Sequence, residues 1–109
     1  HPDALGGQKF DIVFFAGVLY HLQYPMLAIQ RIASVTNEML ILETHYEKQM
    51  TPDIAAWMYY PGGELNNDPS NWWGPNVKGL IGMIEASGFK RVVVHAEEKN
   101  RIIVRAYKN

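Results

Sequence analysis

Residues 10 to 22 read FDIVFFAGVLYHL, an apolar run without alternation that ends in glycine, tyrosine and histidine. A run such as Ile12-Val13-Phe14-Phe15 needs cover on both faces, the habit of a strand in a parallel α/β sheet rather than a one-sided antiparallel one. A buried strand is therefore expected over residues 10 to 16. Sheets of this kind bind ligands beyond the carboxyl ends of their strands, which is where Gly17, Tyr20 and His21 fall.

Upstream, HPDALGGQK is polar and glycine-containing and reads as a loop feeding the strand. Downstream, Pro25 suits the first position of a helix, and Ala28, Ile32 and Val35 repeat on one face, so the helix is expected to close near Asn37. Met39-Leu40-Ile41-Leu42 is a second apolar run, ending in Glu43, Thr44 and His45. The three segments make a β-α-β unit with polar residues at both strand ends.

Residues 46 to 75 are rich in proline, glycine and asparagine, which break regular structure. Yet all three tryptophans, Trp57, Trp72 and Trp73, lie there with Tyr46, Tyr59 and Tyr60. Loops of this length are uncommon in compact domains unless they act as lids or binding segments. A lid-like aromatic loop is expected, interrupted by a short helix around Ile54 to Met58. Asn76 then caps a helix in which Val77, Leu80, Ile81 and Ile84 share a face, with Gly88 as its left-handed stop and Phe89 as the apolar residue that follows. Residues 91 to 95 and 102 to 106 read as an antiparallel hairpin turning through Glu97-Glu98-Lys99-Asn100.

The chain of 109 residues is one domain at most, and 48% apolar and 12% aromatic residues support a packed core. Ten basic residues against eleven acidic ones leave no electrostatic footprint of a stand-alone nucleic-acid binder. The absence of cysteine removes disulfides, thiolate metal sites and thiol nucleophiles. No apolar run approaches the roughly 18 residues needed to span a bilayer, and no signal-peptide pattern opens the chain. A cytoplasmic protein without membrane contact is the expectation, and the opening at His1 rather than methionine suggests a piece of a larger one.

Strand, helix, strand, long aromatic loop, helix and terminal hairpin resemble the C-terminal half of a class I S-adenosylmethionine-dependent methyltransferase. FDIVFFAGVLYHLQYP, EMLILETH and NNDPSNWWGPNVKGLIGMIEASGF sharpen the resemblance toward the group that contains the tRNA wobble-uridine carboxymethyltransferase and its relatives. It implies a partial Rossmann-like α/β fold, with this chain supplying strands four to seven of a sheet ordered 3-2-1-4-5-7-6. The family's glycine-rich turn and the acidic residue that holds the ribose belong to strands one and two; Gly6-Gly7 is a poor substitute, since no strand precedes it. The expectation is therefore about half of a catalytic domain, inactive alone. An interaction domain, or one half of a split methyltransferase, is the alternative.

The resemblance also implies roles. Ala16 and Gly17 end a strand where the family's cofactor lies, although a glycine that merely ends a strand would look the same. Asp3 falls where many relatives set an acidic residue against the adenine amino group. Tyr20 and Arg101 match the pair that contacts the extra carboxylate of carboxy-S-adenosylmethionine, yet S-adenosylmethionine is the cofactor expected. His21 and the Glu43-Thr44-His45 run follow neighbouring strands and could converge. A general base is one reading, because histidine titrates near neutrality. Local packing is another, and a metal site lacks any short ligand motif. Tyr20, His21 and Glu43 are expected at the transfer centre. His45, Tyr59, Asn71, Trp72, Trp73 and Arg101 are expected on the acceptor side, where aromatic rings suit a flat base or a sugar face. His95 reads as structural. The acceptor is a tRNA base, a sugar or a small metabolite, and the open edge of residues 10 to 16 predicts a homo-oligomer.

Overall fold

In a computed structural model, which describes residues 8–109, the two apolar runs lie side by side as parallel strands, β1 (Phe10–Ala16) and β2 (Thr36–His45), with Phe15 opposite Leu42. Helix α1 (Pro25–Val35) connects them, and Pro25 occupies its first turn. Two short strands, β3 (Trp57–Tyr59) and β4 (Trp73–Pro75), pair antiparallel within the aromatic segment. Helix α2 (Val77–Ala86) follows, and β5 (Arg91–Glu98) and β6 (Arg101–Tyr107) close the chain as a hairpin. The main sheet is ordered β1-β2-β6-β5, with β6 antiparallel to both of its neighbours.

Leu40, Leu42, Ile102, Val104 and Ala106 are buried on one sheet face, where they join Ile29 and Ala33 of α1 and Leu80 and Ile84 of α2 in the core. Asn76 caps α2 as expected, accepting the Gly79 N–H, and Gly88 ends the helix with φ +114°. No helix among the described residues is long and apolar enough to cross a membrane.

Four expectations are corrected. Helix α1 stops at Val35, short of Asn37, because Thr36 already pairs as a strand residue opposite Phe10 while its hydroxyl donates back to the Ile32 carbonyl. Residues 54–58 are not helical. The carbonyls of Met50, Thr51 and Ile54 turn to the buried Asn76 amide instead, and Trp57–Tyr59 pair with β4. The hairpin strands run through Glu98 and from Arg101, so the turn narrows to Lys99-Asn100, and His95 is exposed at a register shift. Among the described residues strand β1 is not covered on both faces: Val13 and Phe15 pack on the core, whereas Phe10, Ile12 and Phe14 stand exposed. Both helices lie on the same side of the sheet, so period-two alternation reasserts itself in a run that reads as wholly apolar. Asp3 lies outside the described residues.

Candidate functional site

Strands β1 and β2 end together because they are parallel and in register, Ala16 opposite Glu43. The Gly17 N–H donates to the Glu43 carbonyl (3.0 Å), and Gly17 has φ +70°, a conformation costly for residues with a Cβ. That turn lifts the chain into the single helical turn Leu19–His21 and carries Tyr20 over the sheet end.

Glu43 points toward the hairpin. Arg101 donates from Nε and Nη2 to its two carboxylate oxygens, each at 2.7 Å. Burial works to lower the Arg101 pKa, but the hydrogen bonds to Glu43 and the neighbouring Tyr20 outweigh it and hold the guanidinium above its ordinary value. Its central carbon also lies 5.0 Å from the Tyr20 ring centroid. Tyr20, Glu43 and Arg101 therefore form one unit, and a cavity of about 290 Å³ opens beside Glu43 and Arg101 toward Lys99 and Asn100.

His45, two residues beyond Glu43 on the same sheet face, is buried with its ring 6.1 Å from Tyr20. Its Nε2 lies 3.0 Å from a Glu47 carboxylate oxygen and 3.1 Å from the Tyr60 hydroxyl, which itself donates to Glu47. Burial and the Glu47 contact push the Tyr60 phenol well up, so Tyr60 stays protonated. Gly74 makes room for this group: a Cβ there would fall 2.0 Å from the Tyr60 oxygen. His45 thus ties the aromatic segment to the sheet.

The aromatic segment clasps the Tyr20 turn at three points. Trp72 N–H donates to the Tyr20 carbonyl (2.7 Å), and Trp73 Nε1 to the Gln23 carbonyl (3.0 Å). His21 Nδ1 sits 3.0 Å from the Ser70 carbonyl. A carbonyl only accepts, so Nδ1 carries the proton and Nε2 of this exposed ring is the acceptor nitrogen in the neutral form. The Ser70 hydroxyl donates to Asp68, which helps hold that carboxylate below its usual range, and the two residues brace the carbonyl that orients His21.

The structure therefore brings Ala16, Gly17, Tyr20, Glu43, His45 and Arg101 to one sheet end, with His21 on the adjoining turn. It does not bring Tyr59 and Trp73 there. Their rings pack on each other at 5.1 Å, and Trp73 lines a groove of about 490 Å³ with Trp57, Tyr24 and Met26 beside α1. Asn71 is buried and donates to the Leu65 carbonyl, and its Oδ1 has no partner among the described residues. Trp72 is half-buried. Sequence reasoning placed Tyr60 in the aromatic loop without linking it to His45, and it missed Glu47, which no motif links to His45, and Asp68 and Ser70, whose signal was the Asp-Pro-Ser turn chemistry.

No family model matches the chain. In sequence it is similar to tRNA U34 carboxymethyltransferases of Campylobacter jejuni, 27% identical over 95 residues that make up 85% of this chain and 31% of those relatives. It thus spans about a third of the length of the curated relatives it matches. Among solved structures, the N-terminal domain of EvdMO1 in the presence of SAH and D-fucose superposes with TM-score 0.67 at 22% identity, covering 94% of this chain and 49% of that one. An O-methyltransferase family protein from Burkholderia thailandensis reaches TM-score 0.71 at 13% identity, covering 99% and 33%. The fold is Rossmann-like and of the methyltransferase kind, and the order β1-β2-β6-β5 corresponds to the 4-5-7-6 portion of the class I sheet, as the motifs implied.

Proposed function

We propose that this chain forms the acceptor-side half of an S-adenosylmethionine-dependent methyl-transfer centre at the carboxyl ends of β1 and β2. One observation carries the reading: the Gly17 turn leaves an open shelf, without a Cβ, beside the joined Tyr20–Glu43–Arg101 unit at the ends of two adjacent parallel strands. Similarity to methyltransferases in both sequence and fold supports it.

Ala16, Gly17 and Tyr20 would hold the cofactor, which when bound supplies an electrophilic methyl group on a sulfonium. Approach of the acceptor in line with that methyl does most of the remaining work. His21 Nε2 takes the proton that an acceptor hydroxyl or amine gives up, while the Ser70 carbonyl keeps the ring oriented. Glu43 and Arg101 hold Tyr20 in place. With its charge answered by Glu43, Arg101 has little left to offer the carboxylate of a carboxylated cofactor, which favours the plain methyl donor.

Glu43, Glu47, Glu97 and Glu98 stand at this end of the sheet against Lys99 and Arg101, a balance that suits a small hydroxylated acceptor, sugar or metabolite, better than a phosphate backbone. The outer edge of β1 has no strand beside it among the described residues, which supports association of chains along it.

The test is a titration of the ¹⁵N-labelled chain with S-adenosylhomocysteine, followed by amide shifts. Changes centred on Gly17, Tyr20 and Glu43 are expected. Changes elsewhere, or none at millimolar ligand, would overturn the placement.

A further inference from the structure

A groove runs beside the start of α1, and the described residues supply both of its walls. Tyr24, Met26 and Leu27 stand on one side, and Trp57 of β3, Trp73 of β4 and Met83 of α2 on the other. Its volume of about 490 Å³ lies within the range of roughly 300–1,000 Å³ that takes a small organic ligand. No charged side chain among the described residues lines it. Tyr24 is 69% exposed, and Met26 and Leu27 are also open to solvent.

Both indole N–H groups are already spent on the backbone. Trp57 Nε1 donates to the Gly79 carbonyl (3.1 Å) and Trp73 Nε1 to the Gln23 carbonyl (3.0 Å). The two indoles are thereby fixed, and they offer the groove ring surface alone. Met26 and Met83 add thioether sulfurs, which pack favourably against aromatic rings. Such a lining favours a flat, uncharged aromatic occupant over an ion or an aliphatic chain. Gln23 and Gln30 supply exposed side-chain amides for a polar substituent. The groove also adjoins His21 along both chain segments. Gln23 follows His21 by two residues, so their Cα atoms are at most about 7.6 Å apart. Ser70, whose carbonyl orients His21, precedes Trp73 by three.

We propose that this groove holds the ring system of the methyl acceptor, a small uncharged molecule of the phenol class, and directs its hydroxyl as a hydrogen-bond donor to His21 Nε2. The inference rests on the transfer centre proposed above and narrows its acceptor. An aromatic hydroxyl resembles that of tyrosine, with a pKa of about 10, and yields its proton to an imidazole more readily than a sugar hydroxyl does. A nucleobase within an RNA shares the flat ring, but the described lining offers no cation to the phosphates that accompany it.

The test titrates 2-naphthol, uncharged at neutral pH, into the ¹⁵N-labelled chain and follows the indole N–H signals of Trp57 and Trp73 together with the ring signals of His21. Shifts at all three residues are expected. Binding should be about fivefold tighter than that of the saturated analogue decahydro-2-naphthol, the preference that an aromatic pair supplies. Met26→Asp sets a carboxylate in the groove at an exposed position of the first helical turn, where an acid suits the helix, and should weaken 2-naphthol about tenfold. The wild-type comparison varies only the ligand, so it stands whatever the variant does. No shift at Trp57 and Trp73, shifts there without His21, equal binding of the saturated analogue, or tighter binding of uridine 5′-monophosphate overturns the proposal. S-adenosylhomocysteine reports on Gly17, Tyr20 and Glu43 in its own titration, so failure of the cofactor placement and failure of the groove give different results.

Discussion

Arg101 grips Glu43 through two hydrogen bonds of 2.7 Å across 58 residues of sequence, and so joins the last strand of the sheet to the end of the β-α-β unit. Both side chains are partly exposed, and the pair does more to position Tyr20 than to stabilise the fold. Replacing Glu43 by Gln is expected to cost only about 1 kcal/mol in urea unfolding. It frees Arg101 for external anions, so acetate should shift the Arg101 Nε–H resonance in the variant and leave it in place in the wild type.

The imidazole of His21 is held by a carbonyl, which dictates its tautomer. Long-range ¹⁵N–¹H correlation spectra above neutral pH are expected to show the proton on Nδ1. A proton found on Nε2 would remove His21 as a base for the acceptor. Ser70→Ala should leave the tautomer unchanged, because the backbone carbonyl is the closer partner.

Gly74 is a packing requirement of the Tyr60–Glu47–His45 group. Gly74→Ala should cost about 1–3 kcal/mol through overpacking. It should also detach the aromatic segment locally, read as faster hydrogen exchange at Tyr60 and Trp72 than at β2.

Asn76 caps α2 and also collects the carbonyls of Met50, Thr51 and Ile54 while accepting from the Ala56 N–H. Asn76→Ala should cost about 2 kcal/mol or more, beyond an ordinary cap, because several buried backbone groups lose their partner together. Asn76→Asp keeps an acceptor for the cap but loses the two amide hydrogens shared among the three carbonyls and sets an oxygen against them, so its unfolding midpoint should also fall well below that of the wild type.

Tyr46 donates to Glu97 at 2.7 Å, and burial together with that contact raises its phenol from 10.0 to about 12. Above pH 10 the unfolded chain releases this proton while the folded chain keeps it. The stability involved is full below pH 10 and is lost as pH rises toward 12. Urea midpoints measured from pH 9 to 12 should fall more steeply for the wild type than for Tyr46→Phe.

Local chemistry in the sequence determined the order of elements, the Pro25 start of α1, the Asn76 cap and Gly88 stop of α2, and the polar residues left at the ends of two parallel strands. Each of these depends on groups within a few positions of one another, or on an apolar run that must be buried. Tertiary structure alone decided which partner each polar group meets. His45 and Tyr60 are 15 residues apart, His21 and Ser70 are 49 apart, and Glu43 and Arg101 are 58 apart. No periodicity encodes such pairs, because they follow from strand register and from how the aromatic segment folds back over the Tyr20 turn. Tertiary structure also decided that Phe10, Ile12 and Phe14 stand on an open face. An apolar run states that cover is needed, and only the placement of both helices on one side of the sheet shows which face the described residues cover.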